Sequence, residues 1–193
     1  MSILFEKRLL LAALVFQGMF IPVALGLALL FGLTPWQDFY FSTEAMFLAV
    51  LATVPLGVAL WAAGQSRAEW FREIDELVRP VLTTLFRDRI PGSVVLVSLL
   101  AGLGEELLFR GVLQAGLTGL LGPWLGVVLA SVAFGLLHFL SWTYFLLATA
   151  MGLYLGALYE LTGNLLIVCL VHALYDWAAI RYLLDRTPAP TAG

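Results

Sequence analysis

Charge is scarce along this chain. Asp, Glu, Lys and Arg supply 12% of its 193 residues, while apolar side chains supply 62%. A soluble globular domain carries about a quarter charged and about half apolar residues, so this composition excludes one and leaves an integral membrane protein. The net charge of −3 says little beside where Lys and Arg fall. No basic run is interleaved with aromatics, so nucleic acid is not an expected partner. A single cysteine, Cys169 in an apolar stretch, rules out an intrachain disulfide and reads as a small core residue. Histidine is almost as rare. Any imidazole chemistry must use His138, His172 or both. The familiar zinc-protease spacing, two His around a Glu on one helix, is absent.

What the chain has instead is long apolar runs. A transmembrane span takes about 20 mostly apolar residues, and six segments read as spans: roughly Leu9 to Gly32, Glu44 to Ala63, Ser93 to Leu117, Trp124 to Leu140, Thr143 to Tyr159 and Asn164 to Leu184. Pro22 and Pro55 are tolerated because neighbouring helices can satisfy the freed carbonyls. The first run is longer than the apolar part of a signal peptide and lacks a clear cleavage site, so it is expected to stay as a span. Gln65 to Arg89 differs in kind. Trp70, Phe71, Ile74, Leu77, Val78, Val81, Leu82, Leu85 and Phe86 recur at helical spacing opposite a charged face, which predicts an amphipathic helix in the membrane interface, bent near Pro80. The expected fold is therefore an all-α integral membrane protein of about six transmembrane helices plus one interfacial amphipathic helix. Its parts are a two-span region over 1–64, the amphipathic helix and linker over 65–92, a four-span core over 93–185 and a disordered tail over 186–193.

Positive residues orient these spans. Lys7 and Arg8, then Arg67, Arg72, Arg79, Arg87 and Arg89, then Arg181 and Arg186 all fall on one side of a six-span chain. That side is cytoplasmic by the positive-inside rule, with both termini inside. Compactness suits a bacterial inner (plasma) membrane. Gly152 and Gly156 make a GxxxG step, expected to serve close packing within the chain.

Against this apolar background, three four-residue steps stand out. Glu105 and Glu106 precede Arg110; Phe134 precedes His138; His172 precedes Asp176. Residues four apart share a helix face. Charges at membrane depth are costly and mark bundle interiors or wet cavities. At about 1.5 Å per residue, Glu105 and His172 both come out about 18 Å from the inner face, near the middle of a roughly 30 Å core. His138 comes out shallower, at about 9 Å. Bringing it to the others requires span four to tilt or the Ser141-Trp142 connection to dip into the membrane. Glu106 with Arg110 reads equally as a helix-fixing ion pair or as part of the chemistry. Glu105 has no obvious second cation, which favours a direct role. Asp176 most simply orients the His172 imidazole, and Phe134 reads as packing.

A carboxylate and two imidazoles around a wet pocket are the parts for activating water against a carbonyl. Glu105 would be the base. His138 and His172, with Glu105, could hold a divalent metal such as zinc that polarises the carbonyl. Without metal, the histidines could donate hydrogen bonds to the oxyanion. A proton relay in a transporter is the rival from another class; the small span count and lack of an inverted repeat speak against it.

Taken together, Glu105-Glu106-Leu-Leu-Phe-Arg110, Phe134-Gly-Leu-Leu-His138 and His172-Ala-Leu-Tyr-Asp176 resemble the EExxxR, FxxxH and Hxxx(N/D) motifs of the CPBP family. These are intramembrane proteases related to the CAAX prenyl endopeptidase and to bacteriocin-processing and immunity proteins. The resemblance covers about Ser93 to Leu184 and leaves out the first two spans. It implies a membrane-embedded, metalloprotease-like endopeptidase acting on membrane-associated peptide or protein substrates. It also implies that Glu105 activates water with His138 as catalytic or ligating partner. His172 and Asp176 would complete the site, and Glu106 and Arg110 would hold the helices. Asp176 stands where the prenyl-protein enzymes usually have Asn, which argues against assuming a prenylated substrate. A non-enzymatic immunity or scaffold protein of the same fold is the alternative.

Overall fold

The computed structural model describes residues 3–66, 68–86 and 90–186. Arg67, Arg87 and Arg89, which enter the orientation argument, and tail residues 187–193 lie outside the described residues. Within them every long element is a helix: α1 (Ile3–Phe31), α2 (Thr43–Gln65), α3 (Glu69–Leu85), α4 (Ser93–Leu108), α5 (Ala115–Leu121), α6 (Pro123–Leu137), α7 (Trp142–Thr162) and α8 (Leu165–Asp185). A short 3-10 turn, Pro35–Asp38, follows α1. Local chemistry sets the ends. Ser42 and Ser141 accept hydrogen bonds from Ala45 and Tyr144 backbone N–H groups at 3.0 and 3.2 Å, opening α2 and α7. Asn164 caps α8 through Leu166 N at 3.0 Å, immediately after Gly163 closes α7 in the left-handed region at φ 61°.

Four of these helices are long and apolar enough to cross a membrane: Lys7–Phe31, Thr43–Gln65, Trp142–Thr162 and Leu165–Asp185. The other two expected spans depart from simple helices. The span that carries Glu105, Glu106 and Arg110 is α4 continued through a π-helical turn, Phe109–Gln114, into α5. The segment that carries Phe134 is α6, only 15 residues long. At about 1.5 Å per residue it reaches about 22 Å, short of a roughly 30 Å hydrocarbon core. It ends at Leu137 with His138 as its C-cap.

Close packing comes from small residues. α4 lies between α1 and α8. A Cβ on Gly104 would sit 2.9 Å from the Gln17 carbonyl oxygen of α1, and one on Gly102 would sit 2.5 Å from the Cys169 carbonyl oxygen of α8. Ala24 and Ala28 of α1 and Ala45, Ala49 and Ala52 of α2 are buried in the same core, as is Cys169. Gly152 and Gly156 bring α7 onto α6, where added Cβ atoms would meet Ser131 at 3.0 Å and Val127 at 3.1 Å; their close approach lies within the chain.

The amphipathic helix α3 has two apolar stripes with different neighbours. Phe71, Ile74, Val78, Leu82 and Leu85 turn inward and floor a cavity, whereas Trp70, Leu77 and Val81 are exposed. Glu73 ties α3 to the start of α7, accepting from Thr143 Oγ1 at 2.7 Å. Hydrogen bonds from Ser141 and Thr143 hold its carboxyl below the usual carboxylate range. Leu10 of α1, Phe86, Val97 of α4 and Leu184 of α8 pack together beside it, so the first turns of α1 and α4 share one end of the bundle with the last turns of α3 and α8.

Because a methyl group at 102 meets backbone atoms that cannot swing away, Gly102→Ala is expected to destabilise the fold by about 1–3 kcal/mol. Gly26→Ala, where a Cβ would meet nothing within 4 Å, is expected to leave thermal unfolding in detergent unchanged.

Candidate active site

α4 with its π-helical turn, α6 and α8 bring all seven motif residues together. Glu105 and Glu106 leave α4 toward α6 and α8, and both are buried, as are Arg110 and His172. His138 and Asp176 are partly open, their side chains 26% and 30% exposed. Phe134 stacks between the motifs: its ring lies 4.4 Å from the His138 ring and 5.8 Å from that of His172, with the Arg110 guanidinium 4.9 Å from its centre.

The hydrogen bonds decide which imidazole nitrogens face the reacting space. His138 Nδ1 lies 2.9 Å from the Phe134 carbonyl oxygen. A carbonyl only accepts, so Nδ1 carries the proton. By the same logic His172 Nδ1–H donates to Glu106 Oε1 at 2.7 Å. In each neutral ring Nε2 is then a bare lone pair. These two nitrogens stand 3.5 and 4.0 Å from Glu105 Oε2, and Asp176 Oδ2 is 3.5 Å from His172 Nε2. Glu105 Oε2 is buried and has no hydrogen-bond partner. Four acceptors thus converge without a donor among them. Such a cluster calls for a water molecule, a protonated imidazole or a cation.

Glu106 has another setting. Arg110 Nε lies 3.0 Å from its Oε2 and Nη1 donates to Oε1 at 3.1 Å, while Nη2 reaches the Gly152 carbonyl of α7 at 2.9 Å. The partner within hydrogen-bond distance of the His172 ring is thus Glu106. Asp176, expected to orient that ring, stands instead near the opposite nitrogen at a longer distance. One helical turn along α8 places it beside Nε2, whereas Glu106 reaches Nδ1 across the α4–α8 interface, a contact that spacing within one helix cannot show.

The donor types suit a divalent cation in kind. Glu105, His138 and His172 would be the residues to hold one, although among the described residues no three His, Cys, Asp or Glu side chains are already drawn together as a cation-binding group. The chemistry is therefore derived from protein groups and water.

These acceptors open onto a cavity of about 400 Å³. The α3 stripe floors it, and among its other lining residues two polar side chains lie outside the three motif segments: Tyr144 of α7 and Gln17 of α1. The π-helical turn, Tyr144 and Gln17 all escaped the reading of the sequence. Only Gln17 left a signal there, as the one polar side chain between Leu9 and Phe31.

Comparison with known proteins places this geometry in context. The family model described as type II CAAX prenyl endopeptidase Rce1-like matches residues 88–178, the stretch that contains all seven motif residues. An uncharacterized protein of Bacillus subtilis (strain 168), YpbD, is 36% identical over 95 residues. That alignment covers 48% of this chain and 46% of YpbD, so the match spans about half of each. No solved structure matches.

The Glu106–Arg110 pair can be tested without any substrate. Arg110→Met leaves the Glu106 charge buried with its guanidinium gone, and is expected to destabilise the fold by about 3–5 kcal/mol in detergent unfolding. A loss under about 1 kcal/mol would mean that Glu106 is neutral in the folded protein.

Proposed function

Because residues 88–178 match the family model of Rce1-like type II CAAX prenyl endopeptidases, we propose that this protein is an intramembrane endopeptidase hydrolysing peptide bonds of membrane-associated substrates at the Glu105–His138–His172 site. The observation that carries this reading is the convergence of Glu105 Oε2 and two imidazole Nε2 atoms on one donor-free point at a cavity. A water molecule seated there would donate to Glu105. Glu105 takes its proton as the water oxygen attacks the scissile carbonyl carbon. A protonated imidazole at His138 or His172 donates Nε2–H to the resulting oxyanion. The tetrahedral adduct then collapses: the C–N bond breaks and the proton held by Glu105 passes to the leaving amine. Glu106 holds the His172 ring, Arg110 holds Glu106, and Asp176 supports the His172 imidazolium. A CAAX-type substrate is the family's suggestion, and the apolar stripe of α3 under the site suits a hydrophobic chain.

Lys7, Arg8, Arg72, Arg79, Arg181 and Arg186 fall at the bundle end formed by the first turn of α1, α3 and the last turn of α8. This supports a cytoplasmic placement of both termini in a bacterial inner membrane.

Peptide termini in membranes from cells expressing wild type or Glu105→Gln, at matched protein levels, test this reading. New termini present only with wild type are expected. Identical profiles, under conditions where the protein has a phenotype, would replace the endopeptidase with a non-enzymatic immunity or scaffold protein of the same fold. A chelator that abolishes the wild-type termini, reversed by added zinc, would place a metal among the three acceptors; indifference to the chelator would leave water and protein groups alone.

A further inference from the structure

An extended peptide entering this cavity carries backbone N–H and C=O groups into an apolar setting where unpaired polar groups are costly. Proteins that bind extended peptides commonly answer those groups with a strand edge. Among the described residues there is no strand, and the helices around the cavity spend their backbone groups internally. A side chain must serve, and it must both donate and accept. A hydroxyl does so through a single atom, as Tyr144 and Tyr175 of the lining can; a carboxamide does so through separate N–H and C=O groups, the same pair that a peptide backbone presents. One carboxamide lines the cavity: Gln17.

Its placement is specific. α1 meets α4 at Gly104, where a Cβ would come within 2.9 Å of both the Gln17 carbonyl oxygen and Phe20 Cβ. The backbone of Gln17, not its side chain, makes that packing contact. The contact also sets Gln17 at the level of Gly104, the residue next to Glu105. Gln17 Oε1 is buried with no hydrogen-bond partner in the protein. A lone carboxamide in an otherwise apolar span, half-buried, its Oε1 without a partner and lining the same cavity as Glu105, has no structural task in the fold.

We propose that Gln17 is a positioning residue that hydrogen-bonds the backbone of the substrate peptide and sets the scissile carbonyl against Glu105. This role rests on the endopeptidase reading, and it lies outside residues 88–178. It gives the N-terminal spans a part in substrate binding.

The test uses the full chain, purified, with an internally quenched peptide ending in a farnesylated CAAX sequence and the same peptide N-methylated at one amide at a time. Glu105→Gln serves as the blank. Gln17→Leu keeps an apolar span intact and removes both hydrogen-bonding groups. It is expected to raise KM about five- to tenfold, the worth of one or two neutral hydrogen bonds, with kcat within about twofold. N-methylation at one particular amide is expected to weaken wild type by a similar factor and to leave Gln17→Leu unaffected, a non-additivity that a packing role would not produce. Wild-type cleavage with an unchanged KM in Gln17→Leu, or equal losses in both proteins at every methylated amide, would overturn this role alone. Wild type behaving like the Glu105→Gln blank on this peptide, both with and without its farnesyl group, would overturn the endopeptidase reading and this role with it.

Discussion

A buried carboxylate that belongs to two helices at once underlies this fold. Glu106 sits on α4 without solvent exposure, pairs with Arg110 one turn later, and accepts from the His172 ring of α8 at 2.7 Å. Arg110 extends the connection to the Gly152 carbonyl of α7 and to the face of Phe134 on α6. Four helices are thus registered through one ion pair. Burying such a pair costs several kcal/mol per ion in desolvation, and geometry alone can recover it. Hydrophobic packing discriminates poorly between helix registers in an apolar solvent. The ion pair supplies the register, because sliding any one helix by a turn would strand a charge.

That register leaves Glu105, the neighbouring residue, in a different chemical world. It points toward two imidazole nitrogens whose protons are fixed elsewhere, one by the Phe134 carbonyl and one by Glu106. With both rings neutral the protein presents lone pairs to the cavity, and protonating either ring turns its Nε2 into the donor that the oxyanion needs. On our proposal this is what makes the site suited to water. The surroundings complete it. α6 stops short and delivers His138 from its C-cap, α3 floors the cavity with one apolar stripe, and α1 approaches closely through Gly104.

Much of this was legible beforehand because the relevant signals are local. Apolar run lengths gave the helices of the membrane-protein fold, and the amphipathic period of residues 65–89 gave α3. The four-residue steps singled out Glu105, Glu106, Arg110, Phe134, His138, His172 and Asp176, which the structure gathers in one place. What was hidden is relational. Run length could not show that α6 ends at Leu137, because Phe139 and Leu140 are as apolar as the helix before them. Nor could it show the π-helical turn that contains Arg110, since no residue in Phe109–Gln114 breaks a helix other than Gly111. Which carboxylate meets which histidine nitrogen is a matter of contact across helices, and the intrahelical spacing of His172 and Asp176 could not show Glu106 at Nδ1. Gln17 was visible as a residue but had no motif to connect it with Glu105; only the Gly104 approach does so.

The central claim is a division of labour between adjacent glutamates, and their unfolding separates them most directly. Thermal or denaturant unfolding of Glu105→Gln and Glu106→Gln, in the same detergent, measures it without a substrate. Glu105→Gln relieves an unpartnered buried carboxylate and is predicted to unfold at or above the wild-type temperature, as substitutions at strained functional positions often do. Glu106→Gln removes the charge that Arg110 and His172 share, and is predicted to lose about 3–5 kcal/mol. Equal losses in the two variants, or a larger loss for Glu105→Gln, would contradict the account.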